Sequence, residues 1–448
     1  MNFLNHGRGA GRAGVALLMA ALAATAGCDL DLTNPNAPLE EDVLTDPELV
    51  LTTAVGIQKQ YADSILVFVR APELVTDQWG ARFLALPADQ SLVTGTPDPT
   101  FGVVGDPFAA AYRIARTADV LTRSAPGVGL SRGQVVGISV LSKLLRSMAI
   151  GHLTTQYEQM PLTYDTLGAP PRPRAEVRDS VIATLESARA ELATVTDDEL
   201  APFRTRVLVP SSGAGIDLRN TVDAMLARYY LFDARYPEAL AAAGRVNRTV
   251  VSHLQYPLPG QNPIWQYGLS LNYVGARREF FLEAQPGDAR PAFWANRSPG
   301  ATLGNPDSIF TFRAYGGART DAYPLYLPDE MRLIQAEAQA RLGRLDLAAA
   351  LINQVRSEGR DVNGLCPAQP TTALPEPRGC LPPLPASALD TEAEVFAQIL
   401  YERRYELFGQ GLRWEDLRRL RAYTSERPSI EFLPYPQSEC ERNPNSGC

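Results

Sequence analysis

Apolar residues recur three and four positions apart along most of the chain, which is the spacing of one face of an α-helix. The segments with this pattern, each predicted to be a helix, are 47–69, 108–121, 134–157, 177–195, 222–234, 238–250, 329–342, 345–355, 392–408 and 414–422. Alternating strand patterns are scarce, and the best of them covers 206–209. The sequence therefore predicts a mostly α fold whose core forms by packing helix on helix.

Two of the predicted helical pairs resemble each other when the chain is shifted by 109 residues. Residues 224–246 then align with 333–355 without a gap, and three alanines of the first segment coincide with alanines of the second. Small residues at such positions let two antiparallel helices approach closely across a short turn, as in tetratricopeptide hairpins. The alternative is that two alanine-rich hairpins share only their composition.

Three long stretches, 77–107, 253–326 and 363–389, lack helical spacing. They exceed the usual length of a connection in a compact domain, so each is either functional or disordered. Many aromatic residues in the second stretch argue against disorder. We therefore expect these stretches to be ordered loops.

The first 27 residues carry Arg8 and Arg12 but no acidic residue, and an apolar run follows at 15–24. This is the pattern of a signal peptide, and the run is too short to be a permanent membrane span. Small residues precede Cys28 and resemble the lipobox of bacterial lipoproteins, although Thr25 stands where that motif usually has leucine. The resemblance implies cleavage before Cys28 and its acylation, for which palmitate is the expected chain type. A plain secretory signal with an incidental cysteine is the alternative.

We accordingly predict a lipoprotein signal peptide at 1–27, a lipidated tether at 28–46 and a single helical domain at 47–448. Removing the signal leaves 40 basic and 50 acidic residues and a net charge of −10. A chain with this negative net charge is not expected to bind nucleic acid, which needs a positively charged surface.

Four cysteines remain near the carboxyl end once Cys28 is set aside, namely Cys366, Cys380, Cys440 and Cys448. Outside the cytoplasm an even number of clustered cysteines indicates disulfides. Their spacing favours Cys366 with Cys380 and Cys440 with Cys448, because each pair brackets one loop. The connectivity stays open at this stage, and a zinc site is the alternative, although no Cys-x-x-Cys occurs.

The segment 399–419 contains a Glu-Arg-x-x-Glu-Leu helix at 402–407 and a Gly-x-Arg-Trp-x-Asp-Leu-x-Arg turn and helix at 411–419. It resembles the signature of the RagB/SusD family of nutrient-binding outer-membrane lipoproteins. Further likenesses follow in the family's order at 157–162, 327–356 and 433–445. Within the signature we expect Glu402, Arg403 and Arg404 to pair with Arg413, Asp416 and Arg418 across the turn, and Trp414 to lie in the core.

The resemblance implies a SusD-like fold, with tetratricopeptide-like hairpins on one side and ligand-binding loops on the other. It also implies a lipid-anchored protein on the exterior of a bacterial outer membrane. Such a protein hands an oligosaccharide or a peptide to a SusC-like TonB-dependent transporter. Under the sorting rule of enteric bacteria, Asp29 would instead retain the protein at the inner membrane, so the location depends on this resemblance.

Sugar binding needs a flat aromatic face for the apolar side of a pyranose and planar polar groups around it. The irregular stretches supply three tryptophans with such neighbours, and burial beneath the loops is the alternative for each tryptophan. The candidate ligand-binding residues are Trp79 with Asp77, Gln78 and Arg82, Trp265 with Tyr267 and Tyr273, Trp294 with Asn296, and Tyr315.

No nucleophile elbow, His-Glu-x-x-His, Walker loop or dinucleotide fingerprint occurs, so we predict no catalytic residue, cofactor or metal. Two alternatives stay open. One is a helical glycoside hydrolase or lyase, which would show two carboxylates across a deep cleft and a raised pKa on one. The other is a scaffold whose hairpins hold a protein in a concave groove.

Overall fold

The computed structural model describes residues 45–83, 85–163, 168–208, 215–296, 304–305, 308–368 and 375–448. Cys28 and the predicted signal peptide lie outside the described residues, as does nearly all of the predicted tether. The helices are α1 Pro47–Asp63, α2 Ile65–Val75, α3 Pro87–Thr94, α4 Gly102–Ser124, α5 Arg132–Gln156, α6 Arg174–Leu192, α7 Asp197–Phe203, α8 Leu218–Phe232, α9 Tyr236–Arg245, α10 Pro263–Trp265, α11 Arg278–Leu282, α12 Arg290–Trp294, α13 Pro328–Arg341, α14 Leu345–Ser357, α15 Glu392–Glu406, α16 Arg413–Arg419 and α17 Gln437–Arg442. The strands are β1 Trp79–Ala81, β2 Gln159–Pro161, β3 Pro171–Pro173, β4 His253–Leu254, β5 Val274–Arg277, β6 Ala295–Asn296, β7 Ile309–Phe312 and β8 Tyr323–Pro324.

The mostly α fold is confirmed, and each predicted helical segment contains a helix. The segment at 47–69 holds α1 and the start of α2, with a break at Ser64. The best alternating pattern, at 206–209, does not form a strand over its described part, because Arg204–Leu208 is a π-helical turn after α7. Phe203 and Val207 are both fully buried, a spacing of four that belongs to a helix and not to an alternating strand.

Several helices begin at side chains that bond the free backbone N–H groups of the first turn. The Asp46 carboxylate accepts from the backbone N of Glu48 at 2.7 Å and precedes Pro47, which has no N–H to satisfy. Reciprocal capping boxes start α5 at Ser131 and α15 at Thr391.

Successive helices pack side by side from α4 through α5, α6, α8, α9 and α13 to α14, and α15 lies against α13 and α14. The repeat predicted from the sequence is visible in this layer. The pairs α8 with α9 and α13 with α14 turn at Ala234 and Gly343, equivalent positions that both have positive φ. The aligned alanines Ala239 and Ala348 are both fully buried where the paired helices meet. The tetratricopeptide-like hairpins are therefore confirmed.

Helix α5 is the longest helix of this layer. By length and composition it could cross a membrane, but 67% of its most apolar window is buried inside the fold. It packs on α4 on one side and on α6 on the other. These contacts bury most of the apolar surface of α5 within the hairpin layer.

Both favoured disulfides are present, with Cα atoms 5.6 Å apart in each pair. Cys366 joins Cys380, and Cys440 joins Cys448, so the predicted pairing is confirmed. Within the described part of the chain no cluster of histidine, cysteine and acidic residues could hold a metal ion.

Candidate functional site

Parts of the irregular stretches come together in an antiparallel four-stranded sheet with the order β1, β5, β7, β6. One face of this sheet is buried. Trp79 of β1 lies opposite Ala276, which lies opposite Phe310 of β7, and all three are buried. The Trp79 ring also contacts the ring of Phe312, with centroids 4.7 Å apart. This face belongs to the core.

The opposite face of the sheet reaches solvent, and we call it the open sheet face. Strand side chains alternate between the two faces, so Ile309 and Thr311 lie on the open face while their neighbours are buried. Arg277 lies opposite Ile309, and Asn296 lies opposite Thr311. Arg82 follows β1 and reaches Thr311, so we assign five side chains to this face: Arg82, Arg277, Asn296, Ile309 and Thr311.

Glycines leave room for these side chains. A Cβ at Gly80 would lie 2.3 Å from Cδ1 of Ile309, and a Cβ at Gly275 would lie 2.3 Å from the carbonyl oxygen of Phe310. The Gly275 Cβ would also lie 3.1 Å from Nη2 of Arg82. Glycine at 275 therefore lets the backbones of β5 and β7 approach while the Arg82 side chain lies across the strand.

Arg82 has hydrogen-bonding capacity that the protein does not use. Its Nη2 donates to Oγ1 of Thr311 at 3.4 Å, and its buried Nε has no hydrogen-bond partner within the described residues. Burial lowers the pKa of Arg82, yet a guanidinium stays charged at neutral pH. The fork of donors is therefore available to a hydroxyl or carboxylate of a ligand.

Charged groups line the other end of β5. Arg277 pairs with Asp77, and its Nε lies 3.3 Å from Oε2 of Glu279. Burial opposes ionisation of Glu279, but hydrogen bonding to its own backbone and the charge of Arg277 outweigh it and lower its pKa. Donors and acceptors therefore alternate along this edge of the open sheet face.

An apolar rim adjoins the open sheet face at Arg82. It consists of four exposed side chains: Phe83, Leu86, Leu269 and Leu271. The loops that carry them are bonded to each other, since the backbone N of Arg82 donates to the carbonyl oxygen of Tyr273 at 2.8 Å. Phe83 is 98% exposed, which is unusual for a phenylalanine and typical of a contact surface.

A buried polar contact holds the two loops of the apolar rim together. Tyr267 donates its hydroxyl proton to Asp89, and Arg70 lies 2.6 Å from the same carboxylate. The Arg70 guanidinium also lies over the Tyr267 ring, 4.7 Å from its centroid. Tyr267 therefore fixes the loops from below and does not offer its ring to a ligand.

Two of the three candidate tryptophans are corrected by the structure. Trp79 lies on the buried sheet face, and Trp294 is buried with its Nε1 donating to the carbonyl oxygen of Tyr405 at 2.7 Å. Gln78 and Tyr315 are buried as well, and the Tyr315 hydroxyl donates to the carbonyl oxygen of Pro375. These four residues and Tyr267 pack the loops onto the core, so we remove them from the candidate surface.

The other candidates remain accessible. Asp77 and Asn296 are exposed, while Arg82, Trp265 and Tyr273 are half-buried. Their role in ligand binding stays a prediction.

Arg277, Thr311 and the apolar rim were not identified from the sequence as parts of this surface. The alternation at 309–312 was the available signal for Thr311, whereas nothing local marked Phe83 as exposed.

The charged residues of the signature helices are structural. Arg403 donates to Asp416 at 2.8 Å, as predicted. The other predicted pairs are wrong, because Glu402 bonds Arg290 and Arg404 bonds Glu283. Successive helical residues point about 100° apart, so only one of the three faces the neighbouring helix. The prediction for Trp414 is confirmed, since it is fully buried.

Glu415 is the most strongly paired acid of this motif. Arg174 and Arg178 reach it from α6, at 2.7 and 3.3 Å, and Arg418 reaches it from its own helix. Burial would raise the pKa of Glu415, but the three guanidiniums outweigh it and lower the pKa to about 2. The motif therefore fastens the carboxyl-terminal helices to the hairpin layer.

Glu376 has a raised pKa and is not one of the side chains of the open sheet face. Burial, followed by repulsion from Asp329 and Glu358, raises the pKa of Glu376 to about 7. Arg332 bridges the two repelling carboxylates and lies 3.0 Å from Glu358. Because Arg332 pairs with both Asp329 and Glu358, these acids form an ion-pair network and not a catalytic pair of carboxylates.

The fold and the site thus define the class of this protein: it is a helical-hairpin protein that carries a small sheet with an open polar face. The fold is SusD-like, and the model of the SusD family matches residues 319–431 of this chain, which include the signature. The suspected resemblance is therefore confirmed. A search of curated proteins finds no significant match.

Solved structures extend the likeness to most of the chain. A SusD superfamily protein from Bacteroides thetaiotaomicron shares 17% identity and a TM-score of 0.66, over 90% of this chain and 99% of that one. NanU from Bacteroides fragilis shares 16% identity and a TM-score of 0.66, over 92% and 98%. A SusD-like carbohydrate-binding protein from Bacteroides vulgatus shares 15% identity and a TM-score of 0.59, over 82% and 83%. At these identities the comparisons establish the fold.

Proposed function

We propose that this protein binds a nutrient, an oligosaccharide or a peptide, non-covalently on the open sheet face and apolar rim. The observation that carries the proposal is Arg82, whose unused donors lie between a row of planar polar groups and the exposed rim. Such a surface can hydrogen-bond hydroxyl or amide groups and cover an apolar ligand face at once. A SusD-like carbohydrate-binding protein with the same fold supports a sugar as the first ligand to test.

The proposed role includes delivery of the ligand to a SusC-like TonB-dependent transporter in the outer membrane, with acylated Cys28 as the anchor. The protein itself performs no chemistry in this scheme. Affinity for one ligand would be modest, because an open face leaves much of the ligand in water. Modest affinity suits a protein that must release its ligand to a partner.

The binding site is tested by affinity electrophoresis against polysaccharides and by calorimetry with peptides, on the mature chain. We expect Arg82→Ala and Asn296→Ala on the open sheet face and Phe83→Ala on the apolar rim each to weaken binding of the retained ligand, with Arg82→Ala costing tenfold or more. Arg344→Ala, an exposed arginine on the hairpin layer, is the matched control and should bind normally. Full binding in all three site variants would refute the assignment.

The anchor and the partner are tested separately. Cys28→Ser should release the protein from the outer-membrane fraction, and protease added to intact cells should degrade the wild-type protein. Crosslinking should recover a TonB-dependent barrel with the wild-type protein. A Cys28→Ser protein that stays in the membrane fraction would contradict the proposed anchor without affecting the proposed ligand surface.

A further inference from the structure

A groove of about 360 Å³ runs along α5, with α4 and α6 as its walls. Small side chains and hydroxyl groups line it, and none of its lining residues is aromatic. The residues that matter here are Ser142, Lys143 and Arg146 on α5, Asp119 on α4, and Thr184 and Ser187 on α6. None of them belongs to the open sheet face or the apolar rim.

Arg146 and Ser142 both have hydrogen-bonding capacity that the fold leaves unused. Nη1 of Arg146 lies 3.5 Å from Oγ1 of Thr184, and Nε lies 3.7 Å from Asp119, which is too far for a good hydrogen bond. Nε of Arg146 and Oγ of Ser142 are buried without a hydrogen-bond partner among the described residues. Ser142 is fully buried, so its unpartnered hydroxyl costs stability unless a ligand or water bonds it.

The charges in the groove limit what can bind. Lys143 is already paired with Glu191 and bonds Oγ of Ser187 at 3.0 Å. Arg146 has Asp119 as its nearest acid, so the two cations are balanced by two carboxylates. The acids repel a singly charged carboxylate less than a doubly charged phosphate, and the planar carboxylate matches the fork of one guanidinium.

We propose that this groove is a second binding site, which takes the free carboxylate of a small polar ligand on Arg146 and Ser142. The carboxylate would replace the long contacts of Arg146 with short charge-assisted hydrogen bonds. The rest of the ligand would lie among the hydroxyls of α5 and α6. An acidic sugar and the carboxyl end of a short peptide present the same group.

The test is calorimetry on the mature chain with two carboxylate probes, glucuronate and N-acetylglycylglycine. Glucose and the amide of the same peptide are their neutral counterparts. We expect the carboxylate probes to bind and the neutral ones not to. Arg146→Gln should weaken carboxylate binding at least tenfold, whereas Arg113→Gln, at an exposed arginine of α4, should leave it unchanged.

Ser142→Ala separates a binding role from a structural one. The substitution removes a buried unpartnered hydroxyl from a helix, so the unfolding midpoint should stay the same or rise while carboxylate affinity falls several-fold. Binding of glucuronate alone would identify an acidic sugar, and binding of the peptide alone a carboxyl terminus. Equal binding of charged and neutral probes, no binding by the wild-type chain, or unchanged affinity in Arg146→Gln would overturn the proposal.

Discussion

Glu73 provides the sharpest test of how the signature turn is fixed. The residue is buried in α2, and its Oε1 accepts from the backbone N of Gly411 at 2.7 Å. Burial raises the pKa of Glu73 to about 8, and the backbone hydrogen bonds offset only part of this shift. The carboxyl group is therefore mostly protonated at neutral pH in the folded protein and ionised in the unfolded chain.

The size of the effect follows from linkage. Between the ordinary carboxyl pKa of 4.5 and the folded value of about 8, the native state holds a proton that the unfolded state has lost. Stability therefore falls as pH rises through this window, by about 1.4 kcal/mol per pH unit, and levels off above it. Glu73→Gln keeps the shape and the acceptor for Gly411 but cannot ionise. Relative to wild type, the variant should gain about 3–4 kcal/mol between pH 5 and pH 8.

Urea unfolding of both proteins at pH 5 and pH 8, with the disulfides intact, measures this gain directly. Other titrating groups act equally on both proteins, so they cancel in the comparison. Glu176→Gln, at an exposed position of α6, is the matched control for the loss of one carboxylate. A Glu73→Gln variant whose stability relative to wild type is the same at both pH values would refute the reasoning.

Three further predictions concern stability and are measured by thermal or urea unfolding. Gly275→Ala should destabilise the protein by roughly 2 kcal/mol or more, because the new Cβ meets a backbone carbonyl at 2.3 Å; a normal melting temperature would contradict the close strand approach. Arg403→Met should cost about 3 kcal/mol, because it removes one partner of a buried ion pair and leaves Asp416 less compensated. A loss below about 1 kcal/mol would show that the pair contributes little. Replacing both Cys366 and Cys380 by serine should lower the free energy of unfolding by about 3 kcal/mol, because the disulfide restricts a loop of this length in the unfolded chain. An unchanged free energy of unfolding would show that this disulfide does not stabilise the fold.

The helical layer could be predicted because its information is local. A helix shows its buried face within one or two turns of sequence, and the capping box at Thr391 was readable from residues three apart. The repeat could also be predicted from the sequence. Ala234 and Gly343 align when the chain is shifted by 109 residues, and in the structure both residues have positive φ at the turn of their hairpin.

The site could not be predicted to the same extent because it depends on distant pairing. Trp79 pairs with Ala276, and each strand of that sheet has only two to four residues. Strands this short carry almost no alternation, so the sequence could not show that the Trp79 side chain would lie on the buried face. Charged residues posed a similar problem, since Glu402 finds its partner at Arg290 and not in the adjacent helix.

The partners of the signature helices come from widely separated parts of the chain. Glu73 contacts Gly411, and Arg174 and Arg178 meet at Glu415. A fragment restricted to 319–431 would lose all of these partners and expose unmatched buried charges, so it should not fold by itself. The converse also holds: a chain that ends before residue 389 would leave Glu73, Arg174 and Arg178 without these partners, so it should not complete the fold.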